Sequence, residues 1–304
     1  MKKLSILIPI FNWDCRQLLT DLHSQAISTD IKFQIVAVDD ASTNTLLKCQ
    51  NSSLALSLEF CHYIELTQRL DRAAMRNYLA RQAEGDVMLF IDCDAGVISS
   101  EFLSNYISAF EDALKFDGNE SVIVGGLTHS YLRPRPGMEL RYYYEREADK
   151  HRSAEYRRQH PYDDFTAFSF MIGKKTFDSI RFDEGITEYG YEDVLFGAEL
   201  QNKGVGIVHI DNPLVHMGIE SSETYLNKVE ASLRQAYQLG NIVHKHSKVA
   251  IYCRKASEMH LCWAVKLAWK IFYKPIRKNL LGSNPNLNWF AFYKLGYFIS
   301  LSSK

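Results

Sequence analysis

The chain has 304 residues, a length that suits one large α/β domain with an appendage. Hydrophobic residues make up 46% and charged residues 23%, which supports a sizeable core and excludes wholesale disorder. The net charge is −1, yet Leu261–Lys304 holds seven Lys/Arg and no acid, which leaves about −8 on residues 1–260 and excludes the basic main body of a nucleic-acid binder.

Leu4–Phe11 is an apolar run that reads as a buried strand ending near Pro9, and a helix over Cys15–Ala26 follows, capped by Asp14. Phe33–Val38 is a second buried strand, stopped by Asp39 and Asp40. A weaker strand near Phe60–Ile64 precedes a helix from about Asp71 to Ala83. Asp86–Ile91 is a fourth strand, followed at once by Asp92-Cys93-Asp94. A helix around Glu101–Lys115 and a strand at Val122–Val124 come next. This alternation predicts an α/β fold with a doubly wound, mostly parallel sheet. Leu127–Asp164, rich in charges and aromatics such as Arg133 and Tyr142, reads as a solvated helix after the Pro134/Pro136 turn, its rival being a variable loop-and-helix segment that shapes a substrate cleft. Phe165–Ile172 is a strand, and an amphipathic helix begins at Gly190-Tyr191-Glu192-Asp193 and runs to about Asn202. Short strands follow near Gly206–Ile210 and Leu214–Met217, then a long helix over Thr224–His246. The expected division is a domain over 1–220, with halves 1–125 and 126–220, and a helical extension over 221–304.

Six cysteines lie scattered without a CxxC pair, which argues against a disulfide framework or a zinc site and predicts a reducing, cytoplasmic location. No run of 18 apolar residues predicts a spanning helix. The tail Leu261–Lys304 sets ten aromatics beside its seven cations, the pattern of a membrane-surface anchor; its rival is a helix packed on the domain. The expected place is therefore the cytoplasm, peripheral on the inner face of the cell membrane.

Ligands of such sheets bind beyond the carboxyl ends of the strands, where this chain gathers Asn12 and Asp14, Asp39 and Asp40, Asp92 and Asp94. Two carboxylates at i and i+2 after a strand can reach a hard divalent ion or its waters, which suits Mg²⁺ or Mn²⁺. The first turn has no GxGxxG, so the dinucleotide fingerprint is missing, and Gly173-Lys174-Lys175-Thr176 lacks the first glycine of a phosphate loop.

Leu4–Asn12, Val36-Ala-Val-Asp-Asp-Ala-Ser-Thr43, Arg72-Ala-Ala-Met-Arg-Asn77 and Gly85–Asp94 occur in that order, followed by Phe182-Asp-Glu-Gly185 and Tyr191–Leu200. Together they resemble the family-2 inverting glycosyltransferases of the GT-A fold, over roughly residues 3–218. The family's glycine in "VDDGS" is Ala41 here, and its third acid after DxD is replaced by Ala95-Gly96. The resemblance implies a metal-dependent transfer of sugar from a nucleotide-sugar donor, UDP-linked by preference, to a carbohydrate or lipid-linked saccharide acceptor. It implies that Pro9 with Asp39 or Asp40 holds the nucleobase and that Arg69, Arg72 or Arg76 supports the base or phosphates. Asp92 would touch ribose or sugar hydroxyls, and Asp94 would bind Mn²⁺ or Mg²⁺ with His216. Asp193 would be the base that takes the acceptor proton, with Glu192 contacting hydroxyls, while Asp183 and Glu184 would be structural or acceptor-side. A sugar nucleotidyltransferase would instead carry a glycine- and Lys/Arg-rich loop at Phe11–Arg16, which is absent. A catalytically silent, glycan-binding relative is opposed by the intact Asp94, Glu192 and Asp193.

Overall fold

Unbroken apolar runs become the central strands. The computed structural model describes residues 1–117, 121–129, 134–186, 189–240, 243 and 247–302; Arg133, the end of the helix expected to reach His246, and Lys304 lie outside them. The chain opens with β1 (Lys3–Ile10), α1 (Arg16–Ile27), β2 (Lys32–Asp39), α2 (Thr45–Ser57) and β3 (Cys61–Glu65). It continues through α3 (Arg72–Gln82), β4 (Val87–Ile91), β5 (Ala95–Gly96), α4 (Phe102–Asp117), β6 (Val122–Val124) and β7 (Leu127–His129). Then come α5 (Glu139–Asp149), α6 (Ala154–Arg157), β8 (Ser169–Gly173), α7 (Lys174–Ile180) and α8 (Glu192–Asn202). The last elements are β9 (Ile207–His209), β10 (Leu214–His216), α9 (Ser222–Leu239), α10 (Lys248–Glu258), α11 (Cys262–Leu280) and α12 (Leu287–Leu301).

Among the described residues, seven strands form one sheet in the order β3-β2-β1-β4-β8-β6-β9. β1 runs parallel to β2 and β4, β2 parallel to β3, and β6 parallel to β9. β8 is antiparallel to both its neighbours, β4 and β6. The α/β class and the predominance of parallel pairing agree with the sequence reading. β8 starts at Ser169 and not at Phe165, because the Thr166 hydroxyl accepts from Phe168 N and holds a turn there.

Alternation of side chains sorts the strand residues between two cores. Ile6, Ile8, Ile35, Ala37 and Leu89 face α1 and α4, whose Leu19, Leu22, Phe102 and Tyr106 are fully buried against them. Leu7, Val36, Val38, Met88 and Phe90 face the other way, toward Leu79 of α3, Phe177 of α7 and Phe196 and Leu200 of α8. β5 and β7 flank β10 in a second, three-stranded sheet.

Arg157 of α6 is 5% exposed and uses every donor it has. Its Nε donates to Arg152 O, Nη1 to Val124 O and His209 Nδ1, and Nη2 to Gly125 O and Ile210 O. It ties the end of β6 to the end of β9. His209 Nε2 lies 2.9 Å from Pro161 O, so this nitrogen carries the proton while Nδ1 accepts from Arg157.

By packing, the chain divides into one unit of residues 1–128, 151–187 and 196–218 and another of 129–150, 188–195 and 219–304. The second unit has two cores of its own. Leu140, Tyr225, Leu226, Ile276, Leu280, Phe290 and Tyr293 form one. Leu233, Ala236, Val243, Ala250 and Phe298 form the other. The segment read as a solvated helix therefore has a buried face: α5 covers Leu140, Tyr142 and Glu145, the last ion-paired with Arg141 one turn earlier at 2.5 Å. Among the described residues, no helix is long and apolar enough to cross a membrane.

Candidate active site

The DxD pair lies where the large sheet hands over to the small one. β4 ends at Ile91; Asp92 N then donates to Phe168 O at 3.0 Å, and Ala95 N turns back to Asp92 O at 3.1 Å. β5 begins immediately and pairs antiparallel with β10, placing Ala95 opposite His216 and Gly96 opposite Val215. Met217 N adds a bond to Asp94 O at 2.8 Å. This register carries His216 Nε2 to 3.1 Å from Asp94 Oδ2. The Phe168 ring meets the imidazole edge-on, with centroids 5.7 Å apart. Burial pushes the Asp94 carboxyl up, but the His216 bond and charge, with the Arg72 charge, pull it down further, and it ends below the usual range.

Asp92 has its own cation. Arg72 and Arg76 stand one turn apart on α3 and so share a face. Arg72 is exposed and acts on Asp94 through its charge. Arg76 is buried, with Nη2 3.1 Å from Asp92 Oδ1 and its guanidinium over the Phe182 ring at 5.4 Å. The next residue, Asn77, donates to Phe182 O at 2.9 Å and to Glu184 Oε1 at 2.8 Å, so α3 grips the Phe182–Gly185 loop. Asp183 Oδ1 accepts from Gly185 N within that loop.

The ends of β1 and β2 are joined through side chains. Asn12 Oδ1 accepts from Thr43 N and Asn44 N, both at 2.9 Å, and Asn12 N donates to Ser42 Oγ. Asn12 (φ 49°) and Ala41 (φ 53°) both adopt the left-handed conformation, which explains why a glycine suits the second position. Asp39 is fully buried and accepts from Ser42 N at 2.7 Å and from the Tyr63 hydroxyl at 3.1 Å. Asp40 accepts from Leu70 N at 2.7 Å and faces Arg69 Nε at 3.6 Å; burial outweighs both partners and raises its carboxyl. The Arg69 guanidinium covers the Phe11 ring at 3.7 Å. Pro9 pairs opposite Val38 and is partly exposed at this edge.

Glu192 and Asp193 open α8 within the second unit. Gly190 (φ 95°) and Tyr191 (φ 72°) turn the chain into the helix, and a Cβ on Gly190 would lie 2.8 Å from Ser232 Oγ. Glu192 is buried and Asp193 half-buried, and the Tyr191 hydroxyl lies 3.2 Å from Ser247 Oγ. Within the first unit, Asp92, Asp94, Arg76 and His216 come together through two contacts, Arg76 with Asp92 and His216 with Asp94.

A divalent cation is compatible with this donor set. Among the described residues, no group of three or more His, Cys, Asp and Glu gathers as a cage for a metal ion. The Asp94 carboxylate and His216 imidazole already converge at 3.1 Å. An ion that takes one or two protein ligands and completes its shell with phosphate oxygens and water needs no more. Sequence reasoning passed over Gly218: a Cβ there would lie 2.0 Å from Asp94 Oδ2. Its place two residues beyond a strand-end histidine was the available signal. Phe11 and Tyr63 were also missed, being apolar or aromatic residues in strands that read as plain core.

The family model described as "Glycosyl transferase family 2" matches residues 5–180, more than half of the chain. No curated protein matches the sequence. Among solved structures, the fold is similar to that of the mannosyltransferase PcManGT from Pyrobaculum calidifontis, in complex with GDP-Man and Mn²⁺. That match has a TM-score of 0.53 and 14% identity, and covers 99% of this chain and 85% of that one. It is also similar to TarS 1–349 from S. aureus, with a TM-score of 0.50 and 17% identity over 100% of this chain and 90% of that one.

Proposed function

Because the chain belongs to glycosyl transferase family 2, we propose that it moves a hexose from a nucleotide-sugar donor, UDP-linked by preference, to a hydroxyl of a glycan or lipid-linked saccharide, with inversion. The observation that carries the reading is the Asp94–His216 pair, set by the β5–β10 register at the carboxyl end of β4. A carboxylate held ionised beside an imidazole suits Mn²⁺, which accepts mixed oxygen and nitrogen donors, better than Mg²⁺. Bound there, the ion would supply Lewis-acid stabilisation of the charge on the departing diphosphate. The complex of PcManGT with GDP-Man and Mn²⁺ is a precedent for such a pairing in a similar fold.

Pro9, Asp40, Arg69 and Phe11 would frame the nucleobase, with Asp39 as the buried group that holds Ser42 and Tyr63 in place beneath them. Arg72, exposed on the same helical face as Arg76, would meet phosphate oxygens. Asp92, steadied by Arg76, would accept from a ribose or sugar hydroxyl. Asp193 would take the acceptor proton as the acceptor oxygen bonds to the anomeric carbon. The bond from that carbon to the phosphate oxygen breaks, and its electron pair leaves with the diphosphate. Asp193 stands in the first turn of α8, where the helix dipole favours a negative charge. Glu192 would contact hydroxyls beside it. The place we propose is the cytoplasmic face of a membrane, reached through the tail, where lipid-linked acceptors are presented in glycoconjugate synthesis.

The test is a screen of nucleotide sugars for turnover with Mn²⁺ and with EDTA, on the wild type and on Asp94→Ala. Donor turnover that needs the cation and disappears in the variant supports the reading. Turnover untouched by EDTA would overturn the metal assignment.

A further inference from the structure

Among the described residues, exposed large apolar side chains crowd into one short stretch: Met259, Leu261, Trp263, Leu267, Ile271 and Phe272. Trp263, Leu267 and Ile271 follow one another at i, i+4 and i+8 and so form a single stripe along α11. They are 68%, 52% and 58% exposed. The opposite side of the helix fixes which way the stripe points. Trp269 stacks edge-on against Tyr293 at 5.0 Å, and Ile276 and Leu280 are buried in the same core. Lys270, Lys274 and Lys278, all exposed, repeat the four-residue spacing beside the stripe, and α11 has no acid anywhere in it.

We infer that this outward face of α11 is a bilayer contact, with Trp263, Leu267 and Ile271 entering the boundary between headgroups and acyl chains while Lys270, Lys274 and Lys278 meet anionic headgroups. An indole prefers that depth, and aliphatic side chains there leave water without crossing the membrane. Charge decides between this occupant and a second copy of the chain. A two-fold contact would set the lysine row of one copy against the lysine row of the other, whereas anionic lipid is complementary to it. The inference rests on the membrane placement proposed above and specifies the residues that make it.

Sedimentation with vesicles tests it on the full chain. The vesicles are phosphatidylcholine with about one-third phosphatidylglycerol, with phosphatidylcholine alone as control. The wild type should sediment with the anionic vesicles, less so at high salt, and its tryptophan emission should shift to the blue. Leu267→Gln with Ile271→Gln should lower the partition by roughly tenfold or more. Lys270→Gln with Lys274→Gln should remove the preference for anionic lipid. Both positions pairs are exposed, so unchanged thermal melting is expected and is measured on the same samples. Equal sedimentation of the wild type and the Leu267/Ile271 variant would overturn this face while leaving the membrane placement standing. No sedimentation of the wild type would overturn both. A wild type that dimerises without lipid, and a variant that does not, would hand the face to a second copy and end the proposal. Donor turnover in solution is scored separately and does not depend on any of these results.

Discussion

Gly218 leaves room for Asp94: a Cβ at this position would lie 2.0 Å from Asp94 Oδ2 and 2.8 Å from its carboxyl carbon. No atom fits at that distance, so Gly218→Ala must displace the carboxylate. The β10 strand itself is held by its own ladder and by Met217 N on Asp94 O. The expected outcome is a folded protein whose Mn²⁺ affinity and donor turnover fall by about 10- to 100-fold, the usual scale for disturbing a ligand's support. Metal titration against circular dichroism on the same variant checks it. Wild-type affinity would show that Asp94 is not the ligand.

The assignment of the base makes a different demand. Asp193→Asn keeps the shape of the side chain at the start of α8 and removes its ability to take a proton. Transfer should drop by about 10²–10⁴ while donor binding is preserved. Calorimetry with the donor and a transfer assay separate the two. Near wild-type transfer would move the role to Glu192, to be examined as Glu192→Gln.

How far these residues could be found beforehand depended on the kind of signal each one leaves. Asp92 and Asp94 were legible because the apolar run Val87–Ile91 stops just before them. His216 was legible as a strand end, and its place beside Asp94 was implied by the family resemblance alone, not by any local pattern. That contact comes from β5, two residues long, and a two-residue strand has no periodicity to read. Helix α2 escaped notice for a related reason. Leu46 and Leu56 are 66% and 70% exposed, so its apolar pattern marks no buried stripe, and its start depends on Asn44 accepting from Leu47 N. Arg157 reads in sequence as one more solvated charge, yet it is buried because four backbone and imidazole acceptors from distant segments, with the nearby Arg152 O, converge on it.

The histidine buried beside that arginine sets a pH dependence for stability. Burial, with the Arg157 and Arg158 charges, outweighs the bond to Pro161 and pulls His209 down to about 4 from an ordinary value of 6.5. The unfolded chain therefore binds the extra proton first as pH falls, and stability declines between about 6.5 and 4, being fully present above that window. The shift corresponds to about 3 kcal/mol at most. Urea unfolding at pH 7 and pH 5 should show the loss in the wild type. His209→Gln, whose amide can both accept from Arg157 and donate to Pro161, should have a flatter profile. Equal slopes in the two proteins would assign the acid sensitivity to other groups.

Ala41 offers a stabilising change. At φ 53° an L-residue costs about 1–2 kcal/mol, and glycine avoids that cost while adding about 0.4–1 kcal/mol of unfolded-state entropy to be lost. Ala41→Gly should raise stability by a net ~0.5–1 kcal/mol in denaturant unfolding, with the Asn12–Thr43 bonds retained. A destabilised variant would mean that the alanine methyl packs better than its backbone conformation suggests.

Asp94 and His216 are 122 residues apart in the chain. At ribosomal speeds of about 5–20 residues per second, Asp94 emerges roughly 6–24 seconds before its imidazole exists. During that interval β1, β2, β3 and β4 can already pair side by side, since all four precede residue 92. The nascent chain therefore passes through a stage with part of the sheet formed, and Asp94 meets His216 only when the last short strand pairs beside β5.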